Sequence, residues 1–370
     1  MSRSAAGRVV RVNGEASKMP AGTGALRVPT RLKLALLAGL CAMVCVAFVA
    51  SSGAGAQVTG EGRTAYVDVG VVTLWVFPGF DQQVDEPAVS NPSDVGLWLE
   101  NMGLGQEKRL VGDLETQALY GQRVIVLEED GEWAKVAVEG QPTPRNALGY
   151  PGWVPKRQLT FDTGMDAYRG GPFAQIEARG ARLYDDRGLS RPSMELSYAT
   201  RLPVVGRRGE AVQVATPDDG HKWVGAADAA VYATEAGILA PTGEDLVSSA
   251  EAFLGMPYLW AGTSEFGFDC SGFTYTVHRA HGITIPRDTV SREELVQPRY
   301  GTAVRHYEDL RPGDLAYFAH QNGAGSVHHV GMYMGGGKMI HAPSPGSRVG
   351  NVDVVESGWI DGFAGAIRYV

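Results

Sequence analysis

Between residues 64 and 161 the apolar positions alternate instead of recurring at helical spacing. Ala65-Tyr66-Val67-Asp68-Val69 and Val72-Thr73-Leu74-Trp75-Val76 read as strands. Arg123-Val124-Ile125-Val126-Leu127-Glu128 and Trp133-Ala134-Lys135-Val136-Ala137-Val138 read as a strand pair around the turn Glu129-Asp130-Gly131. Between the two groups, Pro92-Ser93-Asp94 opens a helical insertion carrying Leu97, Trp98 and Met102, with Ser93 or Asp94 as its N-cap. The segment closes on Gly149-Tyr150-Pro151-Gly152-Trp153-Val154-Pro155. Short strands joined by Gly and Asp turns, with no long helical run at the core, predict a small barrel.

Residues 163–234 repeat the theme more weakly. Ala181-Arg182-Leu183-Tyr184, Arg201-Leu202-Pro203-Val204-Val205 and Ala211-Val212-Gln213-Val214-Ala215 predict short strands, and Lys222-Trp223-Val224 echoes the Gly-Trp-Val that closes the first segment. Residues 235–242 contain Gly and Pro and read as a linker. From 243 to 370 the order changes. Residues 244–254 carry apolar positions at helical spacing, a Gly-rich stretch leads to a second helix from Cys270 to about Arg279, and short strands follow. Helices first and antiparallel strands afterwards indicate an α+β domain.

The N-terminal segment adds an expectation about export. Residues 1–33 carry seven basic residues against a single acid, Glu15; Leu34 to Ala50 has no charge; Ala54-Gly55-Ala56 follows. A basic region, an apolar core and an A-x-A ending predict a signal peptide over residues 1–56, hence a secreted or cell-envelope protein with no stable membrane insertion after cleavage. An uncleaved anchor is the alternative. Removing the leader takes away seven of the 33 basic residues and one of the 41 acids, so the net charge falls from −8 to −14. That argues against nucleic acid as a partner, which calls for basic patches.

Of the three cysteines, Cys41 and Cys45 fall in the leader, leaving Cys270 unpaired in an exported chain. It stands in Phe268-Asp269-Cys270-Ser271-Gly272-Phe273 with Asp269 as N-cap, Phe273, Val277 and Ala280 behind it and Gly282 placed to stop the helix. The helix dipole favours a thiolate there and Asp269 opposes it, so activation requires a partner base. Ser326-Val327-His328-His329-Val330-Gly331-Met332-Tyr333-Met334, three glycines and Lys338-Met339-Ile340-His341-Ala342 predict a hairpin. Period-two alternation puts His329 on the face opposite His328 and Val330, with His341 in reach on the returning strand. Nucleophile, base and orienting group make a triad. The residues alone leave open a buried structural cysteine or a Cys-His-His zinc site, although no second cysteine and no C-x-x-C or H-E-x-x-H spacing supports the metal.

Gly255-Met256-Pro257-Tyr258-Leu259-Trp260-Ala261-Gly262, Phe268-Asp269-Cys270-Ser271-Gly272-Phe273, Ile285-Pro286-Arg287-Asp288, Leu310-Arg311-Pro312-Gly313-Asp314-Leu315, His329-Val330-Gly331-Met332-Tyr333 and His341-Ala342 resemble, in order, the NlpC-type cell-wall cysteine peptidases. The resemblance implies a papain-like α+β domain over residues 243–370, Cys270 as nucleophile, His329 as general base and acid, His341 as orienting residue and Tyr258 near the oxyanion. Gly131-Glu132-Trp133-Ala134-Lys135-Val136 followed by Gly152-Trp153-Val154-Pro155 resembles bacterial SH3-like domains. Two small SH3-like β-barrels are therefore expected before the catalytic domain, at 64–161 with the helical insertion and at 163–234.

Leu114-Glu115-Thr116-Gln117-Ala118-Leu119, Gly140…Pro144-Arg145-Asn146 with Gly149-Tyr150-Pro151-Gly152-Trp153, and Ala261-Gly262-Thr263-Ser264 resemble one branch, the γ-D-glutamyl-L-diamino acid endopeptidases. In that branch the first barrel leans over the cleft. The resemblance makes Glu115, Tyr150, Asp269 and Ser271 binding residues for a free N-terminal L-alanine, and Thr289 stands where the branch has a serine. His328 is grouped with these substrate-binding residues. Glu115 with Asp269 would surround an ammonium with carboxylates; the alternatives are a solvated helix charge for Glu115 and a packing tyrosine for Tyr150. No metal or organic cofactor is implied. The expected partners are peptidoglycan stem peptides freed from glycan. An endopeptidase of intact wall, anchored by the barrels, and an inactive wall-binding protein are the competing readings.

Overall fold

The computed structural model describes residues 62–80 and 82–370, so the expected leader at 1–56 lies outside the described residues. Among the described residues the strands form two seven-stranded sheets, a six-stranded sheet and a two-stranded one. The first sheet runs in the order Leu114–Leu119, Val71–Trp75, Tyr150–Pro155, Trp133–Val138, Arg123–Asp130, Thr64–Val67 and Leu159–Thr160. Its inward positions, among them Val67, Leu74, Val124, Val136 and Val154, form a closed apolar core. The expected strand pair is in place: Val126 faces Val136 and Asp130 faces Trp133.

The helical insertion is larger than its pattern suggested. The Val95–Asn101 helix, N-capped by Asp94 accepting from Leu97 N, is joined by Leu104–Arg109. Leu114–Leu119 is a strand paired with Val71–Trp75, although its Leu, Glu, Gln and Ala favour helix, because burial on a sheet outweighs intrinsic propensity. Glu115 is thus a half-buried strand residue and not a solvated helix charge.

The second sheet contains every strand expected from residues 163–234 and adds Phe173–Ile176, Pro192–Ser197 and Ala229–Tyr232. Its core takes in Tyr66, Tyr120 and Met165 from outside the sheet. The third sheet is ordered Thr302–Val304, Phe363–Arg368, Leu315–Ala319, Val327–Gly335, Lys338–His341, Gly350–Asp353. The Gly243–Glu251 helix starts with a capping box between Thr242 and Asp245 and packs with the Cys270–Ala280 helix on one face of this sheet. The opposite face carries Phe318, Met339 and Trp359.

These bodies are tied by directed hydrogen bonds. Trp260 Nε1 donates to Leu114 O at 3.0 Å. The Gln117 carboxamide oxygen accepts from Thr263 N at 3.0 Å and Ser264 Oγ at 2.9 Å. From the second sheet, Gln175 Nε2 donates to Ala280 O at 2.8 Å, at the far end of the cysteine helix. The strand that holds Glu115 is thereby fixed against the segment that leads into Cys270.

Candidate active site

Cys270 opens an 11-residue helix whose sides are buried nearly all round, Thr274, Thr276 and His278 included, so the expected apolar stripe is only part of its packing surface. Asp269 is the N-cap, with Oδ1 accepting from Gly272 N at 2.5 Å. Gly272 has no room for a side chain: a Cβ there would sit 2.0 Å from the Gly262 carbonyl oxygen. This contact brings the Ala261-Gly262 turn down onto the first turn of the helix.

The half-buried Cys270 is the free cysteine of the described chain. The backbone N–H groups of Val330 and Ser271 lie near the thiol and favour its thiolate. Burial, reinforced by Asp269, nevertheless pushes it up to about 12. The first-turn dipole expected from the sequence does not win, and the resting form is the thiol. Val330 is the residue after His329, so the sulfur lies against the backbone of the strand that carries the expected base.

His329 is buried on Val327–Gly335, opposite Phe318. Its Nε2 lies 2.8 Å from His341 Nδ1, the two rings nearly perpendicular. Trp359 stacks on His329 at 4.6 Å and meets His341 edge-on at 5.4 Å. Burial, with the neighbouring His341 and His328 adding to it, lowers His329 to about 3, and burial lowers His341 to about 4. Both imidazoles are neutral at neutral pH. With Nε2–H donating to His341, the lone pair of His329 is left on Nδ1, the tautomer a general base needs.

Two guanidiniums, neither singled out by the sequence reading, organise the rest. Arg287 is fully buried; its Nη2 meets Asp269 Oδ2 at 3.0 Å, its Nη1 donates to Ser271 Oγ at 3.1 Å, and its Nε donates to Thr116 Oγ1 at 2.9 Å. Arg145 forms a fork on Glu115, with Nη2 to Oε1 at 2.6 Å and Nη1 to Oε2, and it lies over the Tyr150 ring. Tyr150 donates its hydroxyl to Asp288 Oδ2 at 2.7 Å. Burial raises the Asp288 carboxyl above its ordinary value against the opposing charge of Arg287, and burial raises the Tyr150 phenol with the Asp288 charge adding to it. Glu115 and Asp269 therefore do not wait as bare carboxylates: each already holds a guanidinium. Only the motif strings Ile285-Pro286-Arg287-Asp288 and Pro144-Arg145-Asn146 pointed here, and a buried arginine leaves no mark on hydrophobic periodicity.

Tyr258 is buried and bridged to Phe268, two residues before Cys270, and its phenol is raised first by burial and then by the charges of Asp269 and Cys270. Thr289 is half-buried next to Asp288. His328 departs from the expected alternation. Phe318 pairs with His329 but Ala319 pairs with Val327, so His328 is the extra residue of a bulge. It is exposed, away from the core face of Val330 and Met332, with its ring 4.2 Å from that of His320.

A thiol, a neutral imidazole held by a second one and a donor-rich helix start can perform acyl transfer. The NlpC/P60 family model matches residues 255–368, and the model for the YKFC SH3b2 domain matches residues 176–232. A protein named gamma-D-glutamyl-L-lysine dipeptidyl-peptidase from Bacillus cereus is 43% identical over 308 residues, which are 83% of this chain and 91% of that protein. A Bacillus subtilis protein of the same name is 35% identical over 289 residues, 78% of this chain and 92% of that one. A crystal structure of an NlpC/P60 family protein from Bacillus cereus aligns with TM-score 0.77 at 43% identity, covering 83% of this chain and 99% of that one. The chain is a cysteine-type peptidase carrying an SH3b domain. It belongs to the NlpC/P60 family.

Proposed function

We propose that the chain is an exported peptidase that hydrolyses the γ-D-glutamyl–diamino acid bond of murein stem peptides already freed from glycan. On this reading both seven-stranded sheets are SH3-like barrels and residues 243–370 form a papain-like domain. The support for the bond comes from the relatives named gamma-D-glutamyl-L-lysine dipeptidyl-peptidase. The support for a free N-terminal L-alanine is the charge balance of the linked cluster. Three carboxylates, Glu115, Asp269 and Asp288, face two guanidiniums, Arg145 and Arg287, and the deficit is one positive charge. A substrate ammonium fills it; an amide does not.

Cys270 and His329 carry the reaction as proposed. The thiol proton passes to His329 Nδ1 while the sulfur attacks the γ-glutamyl carbonyl carbon, with Tyr258 near the oxyanion. The C–N bond breaks and His329 gives its proton to the leaving amine. Water, deprotonated by His329, then attacks the thioester and returns Cys270 to the thiol. His341 holds the base in its working tautomer throughout.

Three substrates test this: L-Ala-γ-D-Glu-L-Lys with a free amine, its N-acetylated form, and intact sacculi. The expected result is turnover of the first and little of the others. Equal turnover of the acetylated peptide would overturn the ammonium site, and preferential release from sacculi would favour an enzyme of intact wall.

A further inference from the structure

The bulge at His328 creates a feature that the reaction above leaves unused. Regular alternation would send this side chain into the core beside Val330 and Met332; the extra residue turns it outward instead. Its ring then lies 4.2 Å from His320 and 6.4 Å from Trp359, the same indole that stacks on His329 at 4.6 Å. One aromatic side chain thus borders the expected general acid on one side and an exposed imidazole pair on the other.

We propose that His328 and His320 form a carboxylate-binding subsite for the leaving half of the substrate. The inference rests on the function proposed above. His329 delivers its proton to the leaving amine, so the released diamino acid lies on the His329–Trp359 side of the sulfur. Its α-carbon carries both that amine and the carboxyl group, which places a free carboxylate within one residue's reach of the amine nitrogen. His328 lies beyond Trp359, with its ring 6.4 Å from the indole, and His320 lies against it. They offer N–H donors at any pH and positive charge when protonated. Burial of part of its ring, with the His320 charge adding to it, holds His328 below the ordinary imidazole range, and an anion bound against both rings offsets the charge repulsion. The titratable and charged groups on the elements packed around the pair include His329 on the same strand, His341 behind Trp359, Asp361 on the Trp359–Gly362 turn, and Arg292, whose Nη1 donates to Gly323 O in the loop that carries His320.

The test compares L-Ala-γ-D-Glu-L-Lys with its C-terminal amide, both with free N-termini. The intact protein should favour the carboxylate roughly five-fold in kcat/KM at about pH 5.5, mostly through KM, and the preference should fade toward pH 8 as His328 loses its proton. In a His320→Gln, His328→Gln double variant the ratio should approach one at both pH values. Equal turnover of acid and amide by the intact protein, or an unchanged ratio in the double variant, would overturn the subsite and leave the proposed function standing. Cleavage of neither peptide would overturn that function and the subsite with it.

Discussion

His329 Nε2 and His341 Nδ1 lie 2.8 Å apart, although the residues are separated by 12 positions and a glycine turn. The returning strand brings His341 alongside, and Trp359 covers both rings, so the orientation of the first imidazole is set by the second. This contact separates two roles that mutation can test. His329→Ala should lower kcat by about two to four orders of magnitude, the range of a general acid–base. His341→Ala should lower kcat less and leave KM nearly unchanged, with His341→Asn recovering part of the loss, because its amide oxygen can accept from Nε2. Steady-state kinetics on the free tripeptide read both effects, and a His341→Asn enzyme no better than His341→Ala would remove the orienting role.

Cys270 should react slowly with iodoacetamide at neutral pH. A thiol held near 12 has little thiolate at pH 7, and the alkylation rate should climb through pH 9 without levelling at the ordinary thiol value. Mass spectrometry of the labelled protein follows it. A plateau below pH 8 would show that the dipole and the two backbone N–H groups outweigh burial.

Three buried imidazoles contribute to acid sensitivity. Burial lowers His278 to about 4, as it lowers His329 to about 3 and His341 to about 4, against 6.5 when unfolded. The folded state binds these protons later than the unfolded chain. Their contribution is therefore whole above about pH 6.5 and is lost as pH falls from there toward 3, by up to about 1.4 kcal/mol per pH unit for each group. The Tm should drop steeply below pH 6.5. Replacing His278, whose Nε2 is buried without a hydrogen-bond partner, by Phe should make that fall shallower.

Arg287→Met should cost about 3–5 kcal/mol in chemical denaturation, because it strands the buried Asp269 carboxylate. Arg287→Lys keeps the charge but cannot reach Asp269, Ser271 and Thr116 together, so it should recover only part of the loss. A neutral Arg287→Met would mean that the pair is dispensable to the helix start.

The strands at Trp133–Val138 and Ala211–Ala215 were legible because one face of each is apolar and the other is not. Leu114–Leu119 was not, since Leu, Glu, Gln and Ala are helix formers and only its partner Val71–Trp75 makes it a strand. Cys270, His329 and His341 stood out as rare, chemically able residues in motif context. Arg145, Arg287 and Asp288 were hidden for a different reason: a charge looks the same in sequence whether it is solvated or sealed in a network. His328 was misplaced by one face because a bulge depends on the register of the neighbouring strand, which no single strand encodes.

Gln117 places one carboxamide against both Thr263 and Ser264, two residues along the strand from the Glu115 that the same strand presents. The glue that joins the front of the molecule to its rear and the pocket that would greet a substrate are thus printed on the same six residues. Any drift in that stretch is judged twice, once for cohesion and once for choice of ligand, so new preferences should arise more readily from the loops around Arg145 and Thr289 than from the strand itself.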